Sequence, residues 1–182
     1  MAASKVHVAL LRGINVGGKH KLPMKTLARI FADQGAEDVK TYIQSGNVVY
    51  RASAAAAKGM ATAVAEAIAD ELGFEAPVTT RSLDQLRELI ESNPFSKESD
   101  PTRLHVAFLA KRPTAAAVAS LDPDRSPPDV YEVVGSEIYM HCPKGMARTK
   151  LSCAYFDSKL GTVSTMRNWR TTTKLLELAA AL

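Results

Sequence analysis

The alternation of apolar and polar residues predicts strands and helices in turn along the first half of the chain. Short apolar runs are typical of buried strands, whereas apolar residues spaced three or four apart mark one face of a helix. A hairpin is indicated where Ser45-Gly46-Asn47 separates two β-rich runs. The predicted elements are a strand at 6–11, a helix at 23–34, strands at 39–44 and 48–50, a helix at 54–72, a strand at 76–81, and a helix that begins with a capping box at Ser82 and Gln85.

A polar, turn-rich stretch at 92–102 separates this half from a second one with the same order of elements. Its first run, LHVAFL at 104–109, repeats the pattern of VHVALL at 6–11. The later elements are a helix at 114–121, strands at 130–134 and 137–141, a helix at 149–160, a strand at 163–166, and a final helix that reaches Leu182. Because βαββαβ occurs twice, we predict an α+β protein of duplicated ferredoxin-like halves, with antiparallel sheets and helices on one face. The predicted domains are 1–92 and 103–182, the second with the terminal helix, and a linker at 93–102 joins them.

A glycine-rich basic segment, Arg12–Pro23, joins the first strand to the first helix and is called the glycine loop below. Gly13, Gly17 and Gly18 give its backbone access to positive φ, and turns of this kind can point successive N–H groups at one anion. Its lysines add positive charge. A second interpretation stays open, in which the glycines only let a long connection turn and the lysines only keep it soluble.

The positive charge is concentrated near the two ends of the sequence. The net charge is only +4, yet residues 1–32 hold six basic residues and no acidic one. Residues 142–176 hold seven basic residues against Asp157 alone, and the stretch between them is acidic. This asymmetry indicates an anionic partner. The alternative is that each basic face is simply solvated or pairs with the acidic middle.

The C-terminal basic segment combines arginines with threonines. Arginine offers a planar fork for phosphate, and hydroxyl groups at the start of a helix can share an anion with backbone N–H groups. Trp169 can stack on a base or fill a core, and Thr172 or Thr173 can simply cap the last helix. We predict that this segment and the glycine loop form one anion site. The candidate ligand-binding residues are Arg12, Gly13, Asn15, Gly17, Gly18, Lys19, Lys21, Ser45, Asn47, Arg148, Lys150, Arg167, Asn168 and Arg170.

No catalytic residue, metal ligand or cofactor is predicted. Gly13–Lys19 fits the spacing GxxxxGK of a nucleotide-binding P-loop, but His20 stands where a magnesium-binding hydroxyl is needed. Cys142 and Cys153 lack metal-site spacing and fit a reducing compartment. No run of about 18 apolar residues and no leader at the N-terminus are visible. We therefore expect a cytoplasmic protein without a membrane partner, and the sequence leaves its oligomeric state open.

Five segments resemble one bacterial family, domain of unknown function 1697. They are LLRGINVGGKHKLPM, TYIQSGNVVY, LHVAFL, RTKL and TMRNWRTTTKL, and together they extend over nearly the whole chain. The resemblance implies an α+β protein with ferredoxin-like halves and implies no established activity. The family commonly has Asn where this chain has His20, which argues against an essential role for that imidazole.

The leading functional hypothesis is binding of an anionic ligand, either nucleic acid or a phosphorylated molecule, without catalysis. One alternative is an enzyme that acts on a nucleotide or another phosphorylated small molecule, which predicts a closed pocket around Gly13–Lys21. Another is a protein-interaction module that uses a sheet edge. Whether the protein is an enzyme stays open at this point.

Overall fold

The computed structural model describes residues 4–182, and the chain divides into two compact units. The first unit comprises Met1–Arg87 together with Leu175–Leu182, and the second comprises Glu88–Lys174. The expectation that no leader is present concerns the N-terminus, of which residues 1–3 lie outside the described residues. The domain limits expected from the sequence, 1–92 and 103–182, stay a prediction.

The first unit is a four-stranded antiparallel sheet with two helices between its strands. Its strand order is β2-β3-β1-β4, the order of a ferredoxin-like fold. The elements are β1 (Lys5–Leu11), α1 (Met24–Asp33), β2 (Glu37–Tyr42), β3 (Asn47–Ala52), α2 (Ala54–Leu72) and β4 (Val78–Ser82), after which α3 (Leu83–Glu91) follows.

The second unit repeats this arrangement in the order β6-β7-β5-β8, and a short 3₁₀ helix at Pro101–Arg103 precedes its first strand. Its elements are β5 (Leu104–Leu109), α4 (Ala115–Ala119), β6 (Val130–Val134), β7 (Glu137–His141), α5 (Cys153–Leu160) and β8 (Ser164–Asn168). The last helix, α6 (Trp169–Ala180), follows β8, and its residues from Leu175 belong to the first unit. The predicted fold class, duplicated βαββαβ halves with antiparallel sheets, is confirmed.

In each unit the two crossover helices cover one face of the sheet. Side chains that alternate along a strand point to the same face, so Ala9 and Leu11 of β1 share a face with Val48 and Tyr50 of β3. These residues form one buried cluster with apolar residues of α1 and α2. A matching cluster in the second unit joins alternate residues of β5 and β7 to apolar residues of α5.

The repeat extends to individual hydrogen bonds at the end of the first strand. The Leu11 N–H donates to the Gly46 carbonyl at 2.8 Å, and the equivalent Leu109 N–H donates to the Ser136 carbonyl at 2.9 Å. The sequence echo between 6–11 and 104–109 therefore corresponds to equivalent positions in the two sheets.

One predicted helix start is wrong. The helix expected from residue 149 begins at Cys153, because side-chain hydroxyl groups bind the N–H groups of the preceding residues. The N–H of Lys150 donates to Ser126 Oγ at 2.9 Å, and that of Leu151 donates to Thr149 Oγ1 at 3.2 Å. The last helix begins at Trp169, directly after β8.

Thr172 and Thr173 therefore lie inside α6 rather than at its start, and they donate their hydroxyl hydrogens back to the Asn168 and Trp169 carbonyls. Asn168 accepts the Thr171 N–H at 2.7 Å and acts as the cap. Within residues 4–182, no helix is both long and apolar enough to cross a membrane.

Candidate functional site

The glycine loop lies at one end of the first sheet, beside two other connections. The N–H of Leu11, at the end of β1, donates to Gly46 in the β2–β3 turn, and the Arg12 N–H donates to the Pro77 carbonyl at 3.0 Å, just before β4. Three chain segments that are distant in sequence therefore converge where β1 ends.

The tip of the glycine loop is a two-residue hairpin. The Lys19 N–H donates to the Val16 carbonyl at 3.0 Å, while Gly17 and Gly18 have φ of 58° and 74°. Two consecutive positive φ values are typical of a type I′ turn. This geometry differs from that of a P-loop, because the Lys19 N–H is used inside the turn and α1 begins only at Met24.

Asn15 fastens the base of this hairpin to its surroundings. Its side-chain amide donates to the carbonyls of Leu22 at 3.0 Å and Gln44 at 2.9 Å, and its oxygen accepts the Leu22 N–H at 2.8 Å. Ile14 and Leu22, on either side of the tip, are buried in the core. The loop is therefore an ordered structure that is held at both of its ends.

His20 packs against the α2–β4 connection. Its ring stacks on Phe74 with 4.6 Å between ring centroids and an angle of 12°, and its Nδ1 lies 3.0 Å from the Gly13 carbonyl oxygen. These contacts give the imidazole a structural role.

A cleft of about 580 Å³ opens between the glycine loop, the β2–β3 turn and the start of α1. This volume lies in the range of small-molecule sites. The cleft contains two lysines, two amide side chains and no carboxylate. Its lining residues are Asn15, Gly18, Lys21, Leu22, Pro23, Met24, Lys25 and Gln44.

The electrostatics of this cleft favour an anion. Pro23, the N-cap of α1, makes no side-chain capping bond, and the first turn holds no acidic residue. The first N–H groups of a helix have no partner within it, and they carry partial positive charge. Within the described part of the chain, Lys21 and Lys25 have no carboxylate oxygen within 4.0 Å. Their charges are therefore available to a ligand.

The second unit shows that the fold does not require the glycine loop. Twelve residues, Arg12–Pro23, separate β1 from α1, whereas five, 110–114, separate β5 from α4. In the shorter connection Thr114 caps the helix by accepting the Ala117 N–H. The extra residues of the first unit are thus an addition to a connection that the same fold makes without them.

The structure places the other candidates of the first unit around this cleft or within the sheet. Gly18 and Lys21 line the cleft, while Gly17 and Lys19 belong to the hairpin tip. Asn47 is fully buried, and its amide donates to the Tyr42 carbonyl and to Ser45 Oγ. Asn47 and Ser45 thus stabilise the β2–β3 turn.

The candidates predicted from the sequence omit five residues that line the cleft, which are Leu22, Pro23, Met24, Lys25 and Gln44. Lys25 lies in the first turn of the helix that follows the glycine loop, a position that was visible in the sequence. The position of Gln44 at the tip of the predicted hairpin allows it to face the glycine loop, and the structure shows this contact, since the Asn15 amide donates to the Gln44 carbonyl across 29 positions.

The candidates of the second unit lie on the β7–α5 connection, at the end of β8 and at the start of α6. The basic loop, defined here as Cys142–Ser152, occupies the eleven residues between β7 and α5, where the first unit has Ser53 alone. Arg148 and Lys150 are exposed on it. Because β7 and β8 both pair antiparallel with β5, they run in the same direction and end on the same side of the sheet. The basic loop, which follows β7, and Arg170, which follows β8, therefore lie at the same end of the sheet.

Arg167 and Arg170 differ in their surroundings. Burial lowers the pKa of Arg167 to about 10, and this side chain donates to the Met166 carbonyl at 2.8 Å. Arg170 is exposed. The pKa of the Asp100 carboxyl group is lowered, first by hydrogen bonds from the hydroxyl and N–H of Thr102 and then by the charges of Arg103 and Arg170. The expectation that these residues share one anion site with the glycine loop stays a prediction.

Comparisons with known proteins bear on the family and on the fold. The model of a family described as "Protein of unknown function (DUF1697)" matches residues 5–139. No curated protein is significantly similar in sequence. A solved structure, that of the conserved bacterial protein SP0830 from Streptococcus pneumoniae, aligns with 97% of this chain and 99% of its own, with 24% identity and a TM-score of 0.74. At that identity the likeness shows the fold alone.

Proposed function

Because the chain belongs to the DUF1697 family, whose description assigns no activity, we propose a function from the geometry of the first unit: its cleft binds a phosphate group of an anionic ligand. The observation that carries this proposal is the pair of unpaired lysines, Lys21 and Lys25, at the uncapped start of α1. A helix N-terminus flanked by lysines favours phosphate through both charge and N–H donors.

Binding is favoured over catalysis by what lines the cleft. The eight lining residues include no carboxylate, imidazole, thiol or hydroxyl side chain. Such groups supply most general bases and nucleophiles. The apolar lining by Leu22, Pro23 and Met24 supports a ligand that carries an apolar or aromatic portion next to its phosphate.

Removal of the two lysine charges is expected to abolish stabilisation by pyrophosphate or nucleotides. A ligand at 100 times its Kd stabilises a protein by about 2.7 kcal/mol, which raises the Tm of a protein of this size by roughly 5 to 10 °C. We expect Lys21→Gln/Lys25→Gln to lose most of that shift in a thermal-shift titration. The double variant Lys40→Gln/Lys58→Gln, which removes two exposed charges elsewhere in the first unit, is the control and keeps the full shift. Equal shifts in both variants would contradict the proposal.

The dependence of affinity on salt separates nucleic acid from a small phosphate. If the protein neutralises about six phosphates of a duplex, the logarithm of its affinity falls with the logarithm of the salt concentration at a slope near −5. The affinity then falls about a thousandfold between 50 and 200 mM salt. A single phosphate in the cleft gives a much shallower slope. In the duplex case we expect Arg170→Ala to flatten the slope by about one, whereas Lys159→Ala on α5 leaves it unchanged. Fluorescence anisotropy over a salt series makes this measurement.

A further inference from the structure

Two large aliphatic side chains are exposed in the segments that border the cleft. Val16 is 68% exposed and Ile43 is 51% exposed, and they are called the aliphatic tips below. Val16 is part of the hairpin of the glycine loop, and Ile43 lies in the β2–β3 turn. They neighbour Asn15 and Gln44, which are joined by a 2.9 Å hydrogen bond. Val16 and Ile43 do not line the cleft, but each adjoins in sequence one of the two cleft residues that this hydrogen bond joins.

The backbone at Ile43 is unfavourable for its own side chain. Its φ is 48°, in the left-handed region that β-branched residues rarely adopt. Within residues 4–182 the other non-glycine residues with positive φ are Asn15, Asp38 and His20, which are types that tolerate this region. Asparagine or glycine would suit the backbone of this turn better, and about half of Ile43 is exposed to solvent. Contact with a partner explains an isoleucine here.

The surroundings of the tips indicate the charge of that partner. Lys19 lies opposite Val16 in the hairpin, and the lysines of the cleft follow. Among residues 4–32 no acidic side chain is present. Exposed aliphatic side chains together with lysines fit a partner that carries both negative charges and apolar faces. Nucleic acid has both, because its phosphates are negatively charged and the faces of its bases are apolar. Proteins that kink nucleic acid insert aliphatic side chains between bases in this way.

We propose that Val16 and Ile43 insert between neighbouring bases of a nucleic acid whose phosphates contact Lys19 and the lysines of the cleft. This inference rests on the proposed function, since the cleft supplies the phosphate contact. Insertion requires unstacking, which is easier at flexible pyrimidine–purine steps than in stiff A-tracts. The protein is therefore expected to prefer a duplex with TA steps to an A-tract duplex of equal length.

The test measures binding of labelled 20-base-pair duplexes, one rich in TA steps and one an A-tract, by fluorescence anisotropy at 50 mM salt. Ile43→Asn and Val16→Thr are each expected to weaken binding to the TA duplex by about tenfold. The salt slope should stay unchanged, because neither variant loses a charge, whereas Lys19→Gln should flatten it by about one. The Tm of Ile43→Asn should equal or exceed that of the wild type, since the turn is relieved. Val130→Thr, an exposed valine of the second unit, is the matched control and binds normally.

Wild-type affinity for the TA duplex in both tip variants would overturn this inference. A second outcome is that the wild type binds neither duplex but keeps its pyrophosphate-induced rise in Tm, and that Lys21→Gln/Lys25→Gln loses this rise. That outcome would overturn the inference and leave the proposed function standing. If the wild type shows neither duplex binding nor a pyrophosphate-induced rise in Tm, both the inference and the proposed function are overturned. Binding of poly-glutamate in place of nucleic acid, weakened by Ile43→Asn, would also overturn it and would indicate an acidic protein as the partner.

Discussion

Replacement of Gly46 by valine is expected to lower the free energy of unfolding by about 2 to 5 kcal/mol. A Cβ atom at this position would lie 2.7 Å from Leu11 Cβ and 2.9 Å from Ile14 Cδ1, and both neighbours are buried. The residue also has φ of 81°, where any L side chain is strained. Steric conflict and backbone strain therefore add. Urea unfolding followed by circular dichroism measures the loss.

Gly17→Val separates the two causes. Gly17 also has positive φ, 58°, but a Cβ there would meet nothing within 4 Å. We expect this control to cost only the strain, about 1 to 2 kcal/mol. Equal losses of stability in the two variants would contradict the close packing of the β2–β3 turn against Leu11 and Ile14.

Asn15→Asp is expected to weaken binding of pyrophosphate by about 100-fold, although the two side chains have nearly the same shape. The amide nitrogen that donates to the Leu22 and Gln44 carbonyls would become an oxygen, so both hydrogen bonds would turn into repulsion. The change also places a negative charge on the wall of the cleft. Loss of loop order and like-charge repulsion act in the same direction.

The pH dependence of this variant distinguishes it from a simple loss of charge. Two facing carbonyl oxygens favour the protonated acid, which regains one donor and loses its charge. Affinity of Asn15→Asp should therefore recover in part as the pH falls through the pKa of the new carboxyl group. Lys19→Gln changes the net charge equally at the exposed hairpin tip and should show no such recovery. Isothermal titration with pyrophosphate from pH 7.5 to 4.5 makes the comparison, and a flat profile for Asn15→Asp would count against the bridging role of Asn15.

The fold could be predicted wherever short-range patterns decide it. The capping box at Ser82 and Gln85 forms with both of its bonds, at 2.8 and 3.2 Å, because its partners are three residues apart. Gly73 ends α2 and Gly161 ends α5 in the left-handed conformation expected of such glycines. The start of α5 could not be predicted in this way, because Ser126 is 24 residues away from the Lys150 N–H that it accepts.

The sequence by itself determined the repeated βαββαβ order, the place of the glycine loop and the concentration of positive charge near it, because periodicity, turn residues and charge are properties of neighbouring residues. Only the tertiary structure decided which segments that loop contacts. The Asn15–Gln44 bond and the contact of Gly46 with Leu11 join segments about 30 residues apart, and they create a cleft that no local pattern encodes. The same long-range packing leaves Ile43 exposed in a turn whose backbone is strained for a β-branched residue, next in sequence to Gln44 of the cleft.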